Sequence, residues 1–213
     1  MPGMMQAKPL SMESEGPVDF VAGAPCLDFV NTVEPRYEPA PMSDYVPDYR
    51  ALLGWSVKAG LLTTAGARTL RRQADTSAAA AAHGRAIELR EATYQVFQAI
   101  ATGGVPPDEA LCSIRDMYAE AVAQAVPRWD DRVRWTWPTD DLERPRYLLA
   151  EDAVRLLNTP QLDRVKVCRP TCGWLFIDQT RNGSRRWCAT ETCGVREKIR
   201  RQAVRRAARR TGD

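Results

Sequence analysis

The spacing of four cysteines near the C-terminus constrains the fold of this chain more than any other feature. Cys168 and Cys172 form one close pair. Fifteen residues later, Cys188 and Cys193 form a second pair, which gives the pattern C-x3-C-x15-C-x4-C. Zn²⁺ binds four thiolates in a tetrahedron, and two close pairs joined by a longer loop supply that arrangement without straining the backbone. The spacing therefore predicts a structural zinc site in which protein ligands fill every position, and this argues against zinc catalysis.

A disulfide framework is the alternative use of six cysteines, but the rest of the chain does not favour it. Residues 1–17 lack the apolar run of about 7 to 15 residues that a secretory signal requires, and no stretch has the ~18 continuous apolar residues of a membrane span. We therefore expect a cytoplasmic protein with reduced thiols, in which residues 1–17 form a disordered tail. Cys26 and Cys112 stand apart from the cluster and are expected to be buried as small hydrophobic residues.

Charge is distributed unevenly along the chain, although the net charge is only +3. Residues 163–213 contain 14 Lys and Arg against 5 Asp and Glu, whereas the preceding residues contain 16 against 22. This C-terminal segment therefore has a net charge of +9, which zinc bound to four thiolates would lower to about +7. An acidic body with a basic end is typical of proteins that meet a polyanion at one end. We expect this partner to be nucleic acid, with DNA favoured and with RNA or an acidic protein as alternatives.

The C-terminal segment, residues 163–213, also carries secondary-structure signals. Residues 174–177 predict a strand, Asn182-Gly183 is typical of a hairpin turn, and residues 185–187 predict the returning strand. From Gly194 onward, apolar residues recur at four-residue spacing among arginines, which predicts a basic helix. A knuckle, a hairpin and a helix in this order are typical of a treble-clef-like zinc finger.

Basic side chains of this finger and helix are candidates for contacts to nucleic acid. Arginine outnumbers lysine twelve to two in the segment, and its planar guanidinium suits two-point contacts to phosphate or guanine. Trp187 is able to stack on a base, but packing over the zinc site is the favoured interpretation. A solvated basic tail, a tail folded back on the acidic body, and a zinc clip that only fixes the C-terminus are the alternatives. The candidate residues are Arg181, Arg185, Arg186, Arg196, Lys198, Arg200, Arg201, Arg205 and Arg206.

Residues 18–162 predict a separate domain that is mainly helical with a small β element, so the chain as a whole is assigned to the α+β class. A helix is expected to start near residues 106–109 and to run to Pro127. Residues 132–137 alternate apolar and polar side chains with period two, which predicts the best strand of this domain.

Local signals also place helix ends in this domain. Asp48 and Gly60 are expected to mark the start and the end of one helix. Thr63 is a candidate cap for the next helix, which is expected to run into the alanine run at 78–82 and to break at Gly84.

The motifs of the zinc segment resemble a known family, the CGNR zinc finger. The similar stretches are Cys-Gly-Trp-Leu-Phe-Ile-Asp at 172–178, Arg-Asn-Gly-Ser-Arg-Arg-Trp-Cys at 181–188 and Cys-Gly-Val-Arg at 193–196. Residues 26–32, Cys-Leu-Asp-Phe-Val-Asn-Thr, and the Leu-Gly-Trp and Ala-Gly-Leu-Leu segments within 53–62 resemble the start of the ABATE domain, which precedes this finger in the family.

This resemblance implies a bacterial, stress-induced transcription regulator of the α+β type, which binds zinc through the matching cysteines and binds DNA through the finger. The motif that names the finger has Asn where this chain has Val195. Any polar contact of that Asn, to the backbone or to a base, is therefore expected to be missing here.

Few other residues are candidates for chemistry. His83 is the only histidine and has no acidic or cysteine partner at ligand spacing, so no catalytic set is predicted and we expect no enzyme. Asp28 and Asn31 are candidates for lining a ligand pocket in the body, whereas helix capping and core hydrogen bonds are the favoured explanation. The body is expected to sense a small-molecule effector or to mediate homodimerisation.

Overall fold

The computed structural model of the chain describes residues 20–36, 43–168 and 172–210, and the tail predicted at residues 1–17 lies outside them. The helices are α1 (Pro25–Val30), α2 (Tyr49–Lys58), α3 (Thr64–Arg71), α4 (Ser77–Ala101), α5 (Asp108–Gln124), α6 (Arg144–Leu157) and α7 (Val195–Arg210). The strands are β1 (Val33–Glu34), β2 (Ser43–Asp44), β3 (Val126–Asp130), β4 (Arg132–Thr136), β5 (Val165–Val167) and β6 (Leu175–Ile177). The chain is α+β, with a mainly helical first part, as predicted.

The strands of the described residues pair as three separate two-stranded antiparallel sheets, β1 with β2, β3 with β4 and β5 with β6. These sheets are small additions to a helical molecule, as expected for a fold in which helices form most of the core. In the same residues, no helix combines the length and the apolar composition that crossing a bilayer would require.

Helix α2 begins and ends where the sequence predicts. The Asp48 side chain accepts a hydrogen bond from the Ala51 amide at 2.8 Å, which satisfies one of the free N–H groups of the first turn. Gly60 follows the helix with a φ of +73°, a left-handed conformation that ends a helix and that glycine adopts at little cost.

The next two helices are divided at a different place from the predicted one. Helix α3 ends at Arg71, and Thr76 then caps α4 by accepting a hydrogen bond from the Ala79 amide at 3.2 Å. The predicted break at Gly84 is wrong, because Gly84 lies inside α4. A single glycine costs a helix only about 1 kcal/mol, and α4 offsets this cost by burying an apolar face along much of its length.

Strands β3 and β4 form an exposed hairpin after α5. The predicted strand is confirmed as β4, but the helix before it does not reach Pro127, which lies in β3. Proline removes a helical hydrogen bond and is tolerated in an edge strand. The register places Pro127 opposite Trp135 and Trp129 opposite Val133, so these four side chains share one apolar face.

The two largest apolar cores of the described residues hold the helical body together. The larger core is formed mainly by α2 to α6. In the second core, Leu27 of α1, Phe97 of α4 and Leu156 of α6 belong to one buried cluster with Leu175 and Ile177 of β6. Because β6 follows the first cysteine pair directly, the zinc segment packs on the helical body through this second core.

Candidate metal centre and its basic surface

The four predicted ligands come together in one buried cluster. The Sγ atoms of Cys172, Cys188 and Cys193 lie 3.6 Å from one another, and with Cys168 all four Sγ atoms fall within 4.8 Å. A tetrahedron with zinc–sulfur bonds of about 2.3 Å has sulfur atoms about 3.8 Å apart. None of the cysteines forms a disulfide. The cluster has the size of a zinc site, and the four cysteines that the sequence pairs form a set that fits the metal.

A cation is what makes this cluster of thiols favourable. Hydrogen bonds with Cys168, Cys188 and Cys193, together with burial, raise the pKa of Cys172 far above its usual range. Zinc reverses this preference, because it binds thiolates and releases their protons. The charge of the bound metal would then compensate four sulfur groups that burial otherwise keeps neutral.

Backbone geometry around the first cysteine pair brings β6 beside β5. The Cys168 amide donates to the Trp174 carbonyl at 2.8 Å, and the Gly173 amide, with a φ of +75°, donates to the Cys168 carbonyl at 3.0 Å. The strand predicted at 174–177 is confirmed as β6. Its predicted partner is wrong, because β6 pairs with β5 and residues 185–187 form no strand.

Asp178 explains why residues 185–187 form a loop rather than a strand. Its side chain is fully buried and accepts hydrogen bonds from the Thr180 amide at 2.9 Å, from Lys166 Nζ at 2.6 Å and from the Arg185 amide at 2.9 Å. Burial alone would raise the pKa of Asp178, but the hydrogen bonds from Lys166 and Thr180 outweigh it and hold the pKa well below its usual range. The carboxylate therefore organises the turn that leads to the second cysteine pair.

Arg185 belongs to the interior of the finger rather than to its free surface. Its guanidinium donates to the carbonyl oxygens of Val21, Trp187 and Cys188, and it lies 4.6 Å from the centre of the Phe176 ring. These donors are already used within the chain. Arg185 was a candidate for nucleic-acid contacts, and the structure gives it a role in fixing the second cysteine pair.

Asp28 and Asn31 lie at the junction between body and finger. Asn31 Nδ2 donates to the Leu175 carbonyl at 2.8 Å, and its Oδ1 accepts from the Leu175 amide at 2.9 Å, so one side chain pairs with both backbone groups of a β6 residue. Asp28 Oδ1 accepts from the Ala22 amide at 2.9 Å, and the Ala22 carbonyl accepts from the Ile177 amide at 2.7 Å. Both side chains are buried and bind backbone, which is the core role favoured from the sequence over a ligand pocket.

Aromatic side chains cover the cysteine cluster. Trp174 and Phe176 are buried against it, and Trp174 Nε1 donates to the Val33 carbonyl at 2.9 Å. Trp187 is half-buried and packs against the same cluster, as favoured from the sequence. Val195, which replaces the Asn of the CGNR motif, is 47% exposed at the start of α7.

The other basic candidates lie on the surface of the finger and along α7. Glu197 is the one acidic residue of α7. Its carboxylate accepts hydrogen bonds from Arg200 Nε at 2.7 Å and from Arg201 Nε at 2.6 Å, and these bonds lower its pKa to about 2. Arg196 reaches Glu34 at 3.3 Å. Within the described part of the chain, no ion pair is formed by the remaining candidates, which are Arg181, Arg186, Lys198, Arg205 and Arg206.

Three other residues singled out in the sequence have clear positions in the fold. Cys26 is buried, as predicted. Cys112 is exposed, so its predicted burial is wrong; it lies on α5, on the side of this helix away from the buried Ala110 and Ile114. His83 Nε2 lies 2.9 Å from the Val46 carbonyl, which makes it a structural contact between α4 and the segment before α2.

Comparison with known proteins matches two family models to successive parts of the chain. Residues 23–160 match the family model ABATE, described as "Putative stress-induced transcription regulator", and residues 164–206 match the family model of the CGNR zinc finger. These are regulatory and zinc-finger families rather than families of known enzymes. No curated protein is significantly similar to the chain.

Proposed function

The chain belongs to the ABATE family and ends in a CGNR zinc finger, and on this basis we propose that it is a transcription regulator that binds DNA through the zinc-held basic surface. The family description also leads us to propose a role in a bacterial stress response, in the cytoplasm where the DNA lies. Zinc has a structural role in this proposal. It orders the segment from which α7 projects.

The unbalanced charge of α7 is the observation that carries the proposal. Eight of its sixteen residues are Lys or Arg, and Glu197 is its one acid. Like charges at i,i+4, such as Arg201 with Arg205, destabilise an isolated helix by a few tenths of a kcal/mol per pair. Phosphate groups would relieve that repulsion and accept hydrogen bonds from the free guanidinium groups. A solvated helix would leave this repulsion in place. A helix that folds back on the acidic body would reduce it, but among the described side chains of α7 only Arg196 forms an ion pair with the body.

A salt titration tests this proposal directly. Binding of the zinc-loaded protein to a labelled DNA duplex is measured by fluorescence anisotropy over a range of salt concentrations. The logarithm of the affinity is expected to fall linearly with the logarithm of salt, with a slope of roughly 0.9 for each phosphate bound. Failure to bind any DNA at low salt would remove the proposal, and tighter binding to RNA or to an acidic protein would favour the alternative partners.

A matched pair of charge variants localises the DNA-binding surface. Replacing Lys198, Arg205 and Arg206 by Ala is expected to reduce the salt slope by roughly 0.9 for each phosphate that the variant no longer binds. The control replaces three exposed arginines of the hairpin, at 128, 132 and 134. It changes the net charge equally and should leave the slope nearly unchanged. An unchanged slope in the variant of Lys198, Arg205 and Arg206 would mean that these α7 side chains do not bind the DNA.

For the body, we propose dimerisation rather than the sensing of a ligand by Asp28 and Asn31, whose polar groups already bind backbone. The hairpin of β3 and β4 shows two tryptophans on one face, Trp129 at 78% and Trp135 at 51% exposure. A lone two-stranded hairpin is marginally stable, and an exposed apolar patch of this kind marks an interaction surface. The same face of a second copy would cover it in a two-fold arrangement.

Sedimentation velocity tests the dimer. The protein is expected to sediment as a dimer whose dissociation constant rises when Trp129 and Trp135 are both replaced by Ser. The control variant replaces Arg128 and Arg134, which share the opposite face of the hairpin, and should leave the dimer intact. A protein that stays monomeric at high concentration would contradict this proposal without affecting DNA binding by α7.

A further inference from the structure

Trp187 lies between two cavities beside the zinc site. The first cavity, of about 440 Å³, is bordered by the end of α4, by β5 and by residues 185–187. The second, of about 570 Å³, is bordered by the turn at 190–194 and by the first half of α7. Trp187 and Arg201 border both cavities, so the cavities adjoin at these two side chains, and the pair of cavities is here called the Trp187 groove. Each cavity falls within the range of volumes that hold small ligands.

The floor of the Trp187 groove is aromatic and fixed in place. Trp187 is half-buried, so part of its ring remains open to the groove. At Gly194, a side-chain carbon would lie 3.4 Å from Cε3 of Trp187, which shows that the ring lies directly against the backbone where α7 begins. A ring held in this way loses little conformational freedom on binding, and this favours stacking of a planar ligand upon it.

The rim of the groove is mainly cationic, since Glu197, the one acidic residue that borders the two cavities, is paired with Arg200 and Arg201. Arg186 borders the first cavity, and Lys198 and Arg205 border the second. None of these three side chains forms an ion pair among the described residues, whereas Arg201 is held by Glu197. A partly exposed aromatic ring with free cations on both sides is a combination that binds unpaired nucleotides, because bases stack on the ring and phosphates contact the cations.

We propose that the Trp187 groove takes an unpaired nucleotide, with the base stacked on Trp187 and the flanking phosphates at Arg186, Lys198 and Arg205. This inference rests on the proposed DNA binding and defines the form of DNA that the finger prefers. A base inside an intact duplex is covered by its neighbours and has to leave the stack to reach the ring. The finger therefore binds DNA that contains an unpaired or extruded base more tightly than a perfect duplex.

Three DNA ligands of the same sequence test the inference: a perfect duplex, the duplex with one unpaired thymine, and the single strand. Anisotropy titrations of the zinc-loaded protein are run at one salt concentration. The ligands with unpaired bases are expected to bind about tenfold more tightly than the perfect duplex, or more, since stacking of one base on an aromatic side chain supplies that difference.

The variant Trp187→Leu is expected to lose this preference, so that its affinities for the three ligands become similar. The matched control is Trp129→Leu on the hairpin, which should keep the ratio of affinities for the three ligands that the wild type shows, even if it weakens the dimer. Equal binding of all three ligands by the wild type, or an unchanged preference in Trp187→Leu, would overturn the inference and leave the proposed function standing. A protein that binds none of the ligands would remove the proposed function as well.

A second measurement uses the unaltered protein, in case Trp187→Leu does not retain zinc. The unpaired thymine is replaced by 5-iodouracil, the complex is irradiated, and the cross-linked residue is mapped by mass spectrometry. The cross-link is expected at Trp187. A cross-link found only elsewhere, for example at Trp129 or Trp135 of the hairpin, would show that the base does not occupy the groove.

Discussion

Asn31 joins the body to the zinc segment through its side-chain amide. Its amide binds both the N–H and the C=O of Leu175, a residue with no exposed surface. Removing the amide would leave two buried backbone groups without partners, and each such group costs about 1 to 3 kcal/mol. A ligand-binding role would not produce this loss in the absence of ligand.

We therefore expect Asn31→Ala to lower the free energy of unfolding by about 2 kcal/mol or more, as measured by urea denaturation of the zinc-loaded protein. Asn182→Ala is the control, because Asn182 is exposed in the turn before the second cysteine pair and should change stability by less than about 0.5 kcal/mol. Similar stabilities for the two variants would mean that the junction does not depend on Asn31.

Asp28 gives the junction a dependence on pH. Burial raises the pKa of Asp28 to about 6, although hydrogen bonds from the Ala22 and Val21 amides act in the opposite direction. A carboxyl group whose pKa is higher in the folded state stabilises the fold fully below its unfolded pKa of about 4, and this contribution is lost as the pH rises through about 6. The ionised, buried carboxylate thus costs up to about 3 kcal/mol at neutral pH.

Asp28→Asn keeps an oxygen that can accept from Ala22 and removes the charge. Its free energy of unfolding, relative to that of the wild type, is expected to increase between pH 5 and pH 7.5. Urea denaturation at several pH values measures this difference, in which the pH dependence of zinc binding cancels because both proteins share the same ligands. A difference that stays constant over this range would show that Asp28 does not titrate in the folded protein.

The sequence predicts zinc ligands far better than the residues that support them. A cysteine pair is recognised from local spacing, because both ligands of a pair lie in the same turn of the chain. Asp178 and Asn31 act on groups up to 144 residues away, and no spacing rule reports such contacts. The sequence places Arg185 among the candidates for nucleic-acid contacts, because it does not show which arginines have partners inside the fold. Only the packing shows that Arg185 donates to carbonyl oxygens, whereas other arginines of the finger remain without an ion pair.

Among the elements, α4 shows how packing overrides a local signal. Gly84 carries the sequence signal of a helix end, but it lies in the interior of a 25-residue helix. A side-chain carbon built at Gly84 meets no atom within 4 Å, and the same is true of Gly60. The two positions differ in backbone conformation, since Gly60 has a φ of +73° and Gly84 is helical.

This pair of glycines allows a clean test. Gly84→Ala is expected to raise the free energy of unfolding by roughly 0.5 to 1 kcal/mol, because alanine loses less backbone entropy in a helix. Gly60→Ala is expected to lower it by roughly 1 to 2 kcal/mol, because a side chain is strained in the left-handed conformation. Thermal and urea denaturation measure both. A stabilising Gly60→Ala would contradict the helix end at that position.

The sequence predicts where the strand and the turn of the finger lie, but not which strand pairs with β6. The strand at 174–177 and the turn at 182–183 follow from composition and from the Asn-Gly dipeptide. Strand pairing depends on which backbone edge is free, and the buried Asp178 draws residues 178–185 into a hydrogen-bonded loop instead of a returning strand. The first strand of the exposed hairpin, β3, was missed because the helix before it was predicted to run to Pro127, which lies in this strand.

At the scale of the whole molecule, β6 makes the zinc site part of the body. This strand lies between the cysteine cluster, to which Phe176 belongs, and the second core, to which Leu175 and Ile177 belong. Alternate residues of one strand point to opposite faces, so its two faces serve the metal site and the helical body at once. The free energy of zinc binding, which is large in small zinc domains, is therefore coupled to the packing of α1 and of the end of α4.

Removal of zinc is thus expected to disturb more than the finger. Amide hydrogen exchange of the chelator-treated protein should show reduced protection in β5, in β6 and in α1, whose Asn31 depends on β6, as well as in residues 186–196. Protection in α2, α3 and α5 should persist, because these helices belong to the larger core and regions of a protein open as separate cooperative units. Mass spectrometry of peptides after exchange measures both sets in one experiment. A reduction confined to residues 186–196 would mean that β6 holds its place without the metal, whereas complete disappearance of protection would mean that the two cores form a single cooperative unit.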